Sequence, residues 1–363
     1  MHGLFPYHHL SSMRSRRKHL WAAVAILLIV GGIVAAILLR RRAAPDAVRL
    51  LPEADAVFYV NLEPIRLLTS LGKNPPKERD PQYEEFVHET GFEFERHLDR
   101  AAFAIHYGAS SKGKPAATRY SEIFQGHFDH ERVTQYLRKL SSSVESYHDF
   151  DIYVIPLEGR TVRVVLLGID IAAASNTDGP DVVHGMIDRY KQAALPFAGP
   201  SLVSDYYRRV PLGSIVWTIA RPTASSGSQE HGELLVPGSW SSLLPANSVV
   251  IASARPLKDI HLKAEVVTSS DDKARSFTEQ VATYLAIVKA LDISMDGGGP
   301  DPDVKAAFDS LEVHQDHSEA VLTAKVPYAF FKKIMAEPPV EFGPENQKPP
   351  EQNAPAAKSK SQK

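Results

Sequence analysis

Between Leu20 and Leu39 the chain reads LWAAVAILLIVGGIVAAILL, with no charged or amide side chain in the run. At the rise of an α-helix such a stretch is about 30 Å long, the thickness of a bilayer's hydrocarbon core. A lone segment in lipid satisfies its own backbone N–H and C=O groups only as a helix. No other feature constrains the chain as strongly. Residues 20–39 are expected to form a transmembrane helix, and everything after Arg42 to be a domain tethered to a membrane.

A basic tail, residues 1–19, precedes the span with Arg14, Arg16, Arg17 and Lys18, and Arg40, Arg41 and Arg42 follow it. Orientation depends on the difference between the two flanks, and here that difference is small. One reading is an uncleaved signal anchor in the plasma (inner) membrane, single-pass, with the large domain extracytoplasmic. The short basic tail favours it, as does Ser15-Arg16-Arg17 with Leu20, a partial twin-arginine pattern. His19 stands where that pattern has an aromatic residue, so the stretch reads mainly as a positive n-region. The opposing reading has Arg40 to Arg42 holding the domain in the cytoplasm. Cleavage is not expected, because three arginines occupy the place of a small-residue site. Gly31 with Ala35, and Gly32 with Ala36, form small-xxx-small pairs suited to a homodimer, although small residues are common in membrane helices.

Composition narrows the chemistry. The chain has no cysteine, which removes disulfides, thiolate metal sites, iron–sulfur clusters and thiol catalysis. A net charge of −2 gives no reason to expect nucleic acid as a partner.

Past a short linker, AVFYVNL (Ala56–Leu62) alternates as a strand does, and Glu63–Leu71 reads as a short helix. Gly72–Pro81 reads as a loop, Tyr83–Thr90 as a helix, Ala101–Tyr107 as a strand and Ser110–Pro115 as a turn. Arg119–Phe128 is a further expected strand. Asp129 sits at the N-cap of a helix carrying Val133, Tyr136, Leu137 and Leu140 on one face. Phe150–Pro156 and Thr161–Ile169 flank a turn at 157–160. Asp178 or Asp181 opens the next helix, and Ser201–Arg209 reads as another. SIVWTIA (Ser214–Ala220) is apolar on both faces, as a central strand would be.

Residues 223–240 are rich in Ser and Gly and read as a linker or exposed loop. A pattern then returns: Leu243-Leu244-Pro245, Val249–Ala254 and Arg255-Pro256 echo Leu50-Leu51-Pro52, Val57–Leu62 and Glu63-Pro64. A strand at His261–Thr268 follows, then a long helix capped by Ser270, with Phe277, Val281, Leu285, Val288 and Leu291 in one stripe. A helix at Val304–Leu311 and a strand pair within Glu312–Val326 complete the order. The fold class expected is α+β: a transmembrane helix, then two related modules (residues 43–222 and 241–336), each an antiparallel sheet with helices on one face. Chance similarity competes with the echo. Residues 337–363 have the composition of a disordered tail.

Histidine is the one chemistry-bearing residue with any density. Glu312, His314 and Asp316 alternate, with His317 and Glu319 beside them, so His314, Asp316 and His317 are candidate ligands for a divalent metal. The plainer reading is a solvated hairpin tip. His127, Asp129 and His130 form a smaller group in which the helix cap already accounts for Asp129. The acidic, glycine-rich run Asp296–Asp303 lacks the ligand register of a calcium loop. Tyr206-Tyr207-Arg208-Arg209 suits stacking on a ligand, or packing and snorkelling on a helix. No GxSxG, HExxH, Walker A or GxGxxG pattern occurs. A Ser–His–Asp triad assembled from distant segments stays open, because geometry defines it.

The basic tail with its span, together with LLPEADAVFYVNLEPI, EIFQGHFDHERVTQYL and GPSLVSDYYRRVPLGSIVWTIA, resembles uncharacterised single-pass bacterial envelope proteins. That resemblance implies an anchored α+β ectodomain with no assigned reaction, and it carries over no functional residue. The function expected is a non-enzymatic binding or scaffold ectodomain without a cofactor, with an envelope protein as a possible class of partner. The alternatives are an anchored hydrolase, metal-assisted through His314, Asp316 and His317, and a small-molecule sensor with its ligand between the modules.

Overall fold

Strands that are apolar on both faces need cover on both, and the structure supplies it. It is a computed structural model describing residues 43–69, 80–107, 118–157, 159–192, 199–222, 244–294 and 302–336. The basic tail, the span at 20–39 with its Gly and Ala pairs, and the 223–240 stretch lie outside the described residues. So do the turn at Ser110–Pro115, most of the 72–81 loop, the Asp296 run up to 301, the side chains of Val288 and Leu291, and the 337–363 tail. Among the described residues no helix is long and apolar enough to cross a membrane.

Twelve described strands form one antiparallel sheet. They are β1 (Ala56–Asn61), β2 (Leu98–His106), β3 (Arg119–Gly126), β4 (Ser143–Tyr147), β5 (Phe150–Leu157), β6 (Arg160–Leu166), β7 (Ile171–Ser175), β8 (Val216–Ala220), β9 (Val249–Pro256), β10 (Ile260–Val267), β11 (Glu312–Asp316) and β12 (Glu319–Val326). Their order across the sheet is β11-β12-β10-β9-β8-β1-β2-β3-β7-β6-β5-β4. The α+β class with antiparallel pairing is therefore as the sequence indicated, in one large sheet.

The sheet does not break between the two expected modules. β8 pairs with β9 over Val216↔Ala254 to Ala220↔Val250, so both stretches belong to one sheet. The echoed Leu-Leu-Pro segments also lead to different places. β1 passes straight into helix α2 (Leu62–Leu68), whereas β9 turns into a hairpin with β10.

Successive side chains of a strand point to opposite faces. Val57 and Tyr59 of β1 share a face with Ala102, Ile123, Ala173, Val165, Ile152, Trp217 and Ile251, and this core face forms the largest buried cluster. Helices α1 (Asp46–Arg49), α6 (Asp181–Lys191) and α7 (Ser201–Tyr206) cover it with Val48, Val183, Met186, Ile187 and Leu202. Trp217, 1% exposed and stacked on Tyr59 at 5.5 Å, marks β8 as central.

The opposite, back face carries Phe58, Val60, Phe103, Phe124, Val164 and Tyr153. Helices α3 (Pro81–Thr90), α4 (Phe94–His97) and α5 (His130–Leu140) cover one half of it. The long helix α8 (Asp271–Ser294) covers part of the other through Phe277 on Val250, Val266 and Ala320. The expectation of helices on one face is corrected here: both faces are covered. The reason lies in the strands. FDIYVIP and SIVWTIA bury consecutive residues, which no single helical layer can reach. Helices α9 (Pro302–Asp309) and α10 (Tyr328–Ala336) close the described chain.

Local signals set the boundaries. Asp129 caps α5, accepting from Glu131 N at 3.0 Å and Arg132 N at 3.1 Å. Asp181 begins α6, whereas Asp178 pairs with Arg119 at 2.5 Å. Ser270 accepts from Lys273 N at 3.4 Å at the head of α8.

Candidate functional site

The back face holds an apolar pocket under helices α3, α4 and α5. Its volume is about 180 Å³, and its walls are almost wholly carbon: Phe86, Phe92, Phe94, Phe124 and Phe128, with Val133 and Leu137 above and Ala172 and Ala174 below. A dry apolar void of roughly 150 Å³ is enough to take a benzene-sized guest. The pocket is partly open to solvent, and Phe94, one of its lining rings, is 38% exposed.

Its construction starts in sequence. Asp80 caps α3, accepting from Gln82 N at 2.7 Å and Tyr83 N at 3.2 Å, with Pro81 in the first turn where its missing N–H does no harm. Gly91 ends that helix with φ 71°, the left-handed conformation that glycine enters freely. Arg132 of α5 then donates to Glu89 O at 3.0 Å and His88 O at 2.6 Å, fastening α5 onto the end of α3. A Cβ at position 91 would meet the Arg132 guanidinium at 2.6 Å, so glycine is needed for this approach as well as for φ. Lys139 reinforces the pair through Glu85 and Glu89 at 3.5 and 3.3 Å.

The turn 91–97 feeds phenylalanines into the gap between these helices and the sheet. Phe86 and Phe94 stack at 5.5 Å, Phe92 meets Phe94 edge-on at 5.3 Å, and Phe124 meets Phe94 at 6.3 Å and Phe103 at 5.8 Å. The Tyr83 hydroxyl donates to Glu95 at 2.5 Å and accepts from Phe94 N at 2.9 Å, which holds the α4 turn in place. At Gly126 a Cβ would lie 2.2 Å from His97 O; glycine lets β3 approach the α4–β2 corner and shape the pocket edge.

One carboxylate adjoins this floor. Glu122 faces the same side, opposite Phe103 on β2 and Ala174 on β7, and burial raises its pKa. A second apolar recess, about 360 Å³, lies on the same face where β8 meets β9. Phe58, Val216, Ala252, Ala264, Leu262 and Leu322 line it.

The residues singled out from sequence fall elsewhere. His314 lies on edge strand β11 opposite Val321, and Asp316 lies opposite Glu319. His317, at φ 51° in the β11–β12 turn, meets Asp316 through Nδ1 at 2.8 Å. Both groups are exposed, and the hydrogen bond that Asp316 accepts raises the His317 pKa. The structure thus brings together two of the three candidate ligands. Among the described residues no group of three or more metal-binding side chains converges. Asp129 serves as a cap, and His127 meets Asp99 at 3.1 Å. Tyr207 packs on Trp217 at 5.2 Å, and Arg209 pairs with Glu265 at 3.7 Å and with Glu319.

One histidine–serine contact does form. His106 Nε2 lies 3.3 Å from Ser121 Oγ, which lies 3.1 Å from Ser175 Oγ. Burial lowers the His106 pKa, but both serines are buried, at 0% and 2% exposure, so neither hydroxyl can meet a substrate. Sequence reasoning missed the phenylalanine pocket. Its signal was aromatic density: Tyr83, Phe86, Phe92, Phe94 and Phe103 fall within one short stretch.

No family model matches the chain, and no curated protein matches it. Among solved structures it is similar to two crystal forms of a protein named TP0453. Form III has a TM-score of 0.45 and form IV one of 0.40, each at 10% identity over 81% of this chain and 98% of that chain.

Proposed function

We propose that the chain is a membrane-anchored, non-enzymatic binding protein. Leu20–Leu39 hold it in the plasma (inner) membrane, and its extracytoplasmic domain takes an apolar ligand, a hydrocarbon chain or a ring, into the phenylalanine pocket. One observation carries this reading: a solvent-reaching space of about 180 Å³ with a carbon lining and no hydrogen-bonding group inside. Such a lining rewards removal of apolar surface from water and offers nothing for proton transfer or a nucleophile. An anchored domain meets membrane-derived ligands at high local concentration. A homodimer through Gly31, Gly32, Ala35 and Ala36, and an envelope protein as a further partner, belong to the same reading.

A sensor with its ligand between the modules is the second reading, favoured by the recess at the β8–β9 junction. The strand order supports a view of the two regions as diverged copies. On either side of the central β1–β8 pair a hairpin leads through helix to edge strands, two of them on one side (β11–β12) and a four-stranded meander on the other (β4–β7). A hydrolase assisted by metal at His314, Asp316 and His317 has less support, since only two of these groups meet.

The test is photo-crosslinking of the full chain in nanodiscs with a diazirine-bearing fatty acid, mapped by mass spectrometry. Adducts on residues 86–98 and 164–174 are expected, in competition with unlabelled fatty acid. Adducts confined to Leu20–Leu39 would remove the proposal.

A further inference from the structure

A different site lies on the core face of the sheet's other half, and it stands independently of the apolar pocket. Arg255 of β9, His261 of β10 and Lys325 of β12 are direct cross-strand partners, so three basic side chains stand in one row. Such neighbours have Cβ atoms about 5 Å apart, so the Arg255 and Lys325 side chains flank the His261 ring from either side of β10. The next row inward carries Ser253, Lys263, Thr323 and Glu312. Together with Pro211 and Ser310 these residues line a recess of about 220 Å³.

The ion pairs of the region leave the row uncompensated. Arg209 meets Glu265 and Glu319, and Lys263 meets Glu265, which balances those four charges among themselves. Among the described residues no carboxylate lies within ion-pair distance of Arg255 or Lys325. Arg255 Nε is buried without a hydrogen-bond partner. Arg189 Nη2 is likewise unpaired elsewhere in the fold, and such an arrangement is unfavourable, so an anion's oxygen beside Arg255 would supply an acceptor that the chain does not. Ser253, Thr323 and Ser310 add hydroxyl groups at the walls. Glu312 is the one acid in the lining, and it tempers the positive field without cancelling it.

We propose that this recess binds a phosphate group, with the Arg255 guanidinium and Lys325 ammonium as its principal contacts and His261 between them. Guanidinium and phosphate match in geometry, and an ammonium adds a point charge. The volume suits one phosphoryl group and a small attached moiety. Either a soluble phosphate ester or a phospholipid headgroup presents that chemistry to an anchored domain.

The test uses the full chain in a neutral detergent, titrated calorimetrically with inorganic phosphate, with glycerol 3-phosphate, and with short-chain phosphatidylglycerol against phosphatidylcholine. Saturable binding of at least one anionic probe is expected, weakening with added salt. Arg255→Gln and Lys325→Gln should each weaken it by about tenfold or more, and Glu312→Gln should strengthen it. Tighter binding of the small phosphates identifies a soluble ligand; tighter binding of phosphatidylglycerol identifies a headgroup. Lys325 is exposed, so its variant keeps the fold, and its thermal midpoint should hold. No saturable binding by any anionic probe, or an affinity in both charge variants equal to that of the parent chain, overturns the proposal.

Discussion

Replacing Ala172 by leucine tests whether the phenylalanine pocket is space waiting for a ligand. Ala172 lies on the covered back face, opposite Phe124 and Leu166, yet stays partly accessible because it borders the pocket. Were the void of about 180 Å³ permanently empty, it would lower stability by about 4 kcal/mol at ~24 cal/mol per Å³. Leucine adds three carbons, which contribute about 2.4 kcal/mol if fully buried. Ordering its side chain takes back roughly 0.5–1 kcal/mol, leaving about 1.5 kcal/mol. For a domain of this size that raises the thermal midpoint by about 2–3 °C. The assay is thermal unfolding of the full chain in neutral detergent, followed by tryptophan fluorescence, alongside crosslinking with the diazirine fatty acid. The expected result is a more stable protein that no longer labels at residues 86–98. A midpoint that falls by the equivalent of 1–3 kcal/mol is the signature of overpacking and would show that no space exists there.

Gly91→Ala should lower stability by about 1–2 kcal/mol, from the φ of 71° and displacement of the Arg132 guanidinium off His88 O and Glu89 O; urea unfolding reads it. Glu122 has a folded-state pKa raised by burial, so the unfolded chain ionises first and stability falls as pH rises from the unfolded value through the folded one. Glu122→Gln should therefore gain stability over the parent at pH 7 and match it near pH 3; equal curves at every pH would count against the burial. Arg209→Met removes one of the two cations facing the buried Glu265 and should lower stability by roughly 1–3 kcal/mol, discounted because Arg209 is 38% exposed. Adding Glu265→Gln should recover part of that loss in the same melts.

Much of the fold can be read from particular residues. AVFYVNL and SIVWTIA combine β-branched and aromatic residues with short length, and both became strands. Asp129 announced α5 because a short carboxylate before an amphipathic run has one favourable use. The missed strands lacked those marks. SVESY of β4 is an edge strand with mostly exposed side chains, so no alternation betrays it. IAAAS of β7 is built from alanines, which favour helix locally and serve here because helices press on both faces. Helix Tyr328–Ala336 has no Ser, Thr, Asp or Asn at its head to announce it. Continuity of the sheet through β8 and β9 depends on pairing across residues 223–243, which local patterns do not encode.

The candidate sites were less legible than the fold. Histidine density drew attention to His314 and His317, which end on an edge strand and its turn. The pocket arises from Phe86, Phe94 and Phe124, joined by tertiary packing from α3, α4 and β3. The row of Arg255, His261 and Lys325 depends on strand register, so no spacing along the chain reveals it.

Alanine-methyl NMR tests ligand entry most directly. The full chain, with ¹³C-labelled alanine methyls, is titrated with a medium-chain alkyl ligand in neutral detergent. Saturable shifts centred on Ala172 and Ala174 are the result this account predicts. Unmoved Ala172 and Ala174 methyls, with shifts confined to Ala252 and Ala264 or to the 20–39 run, would contradict it.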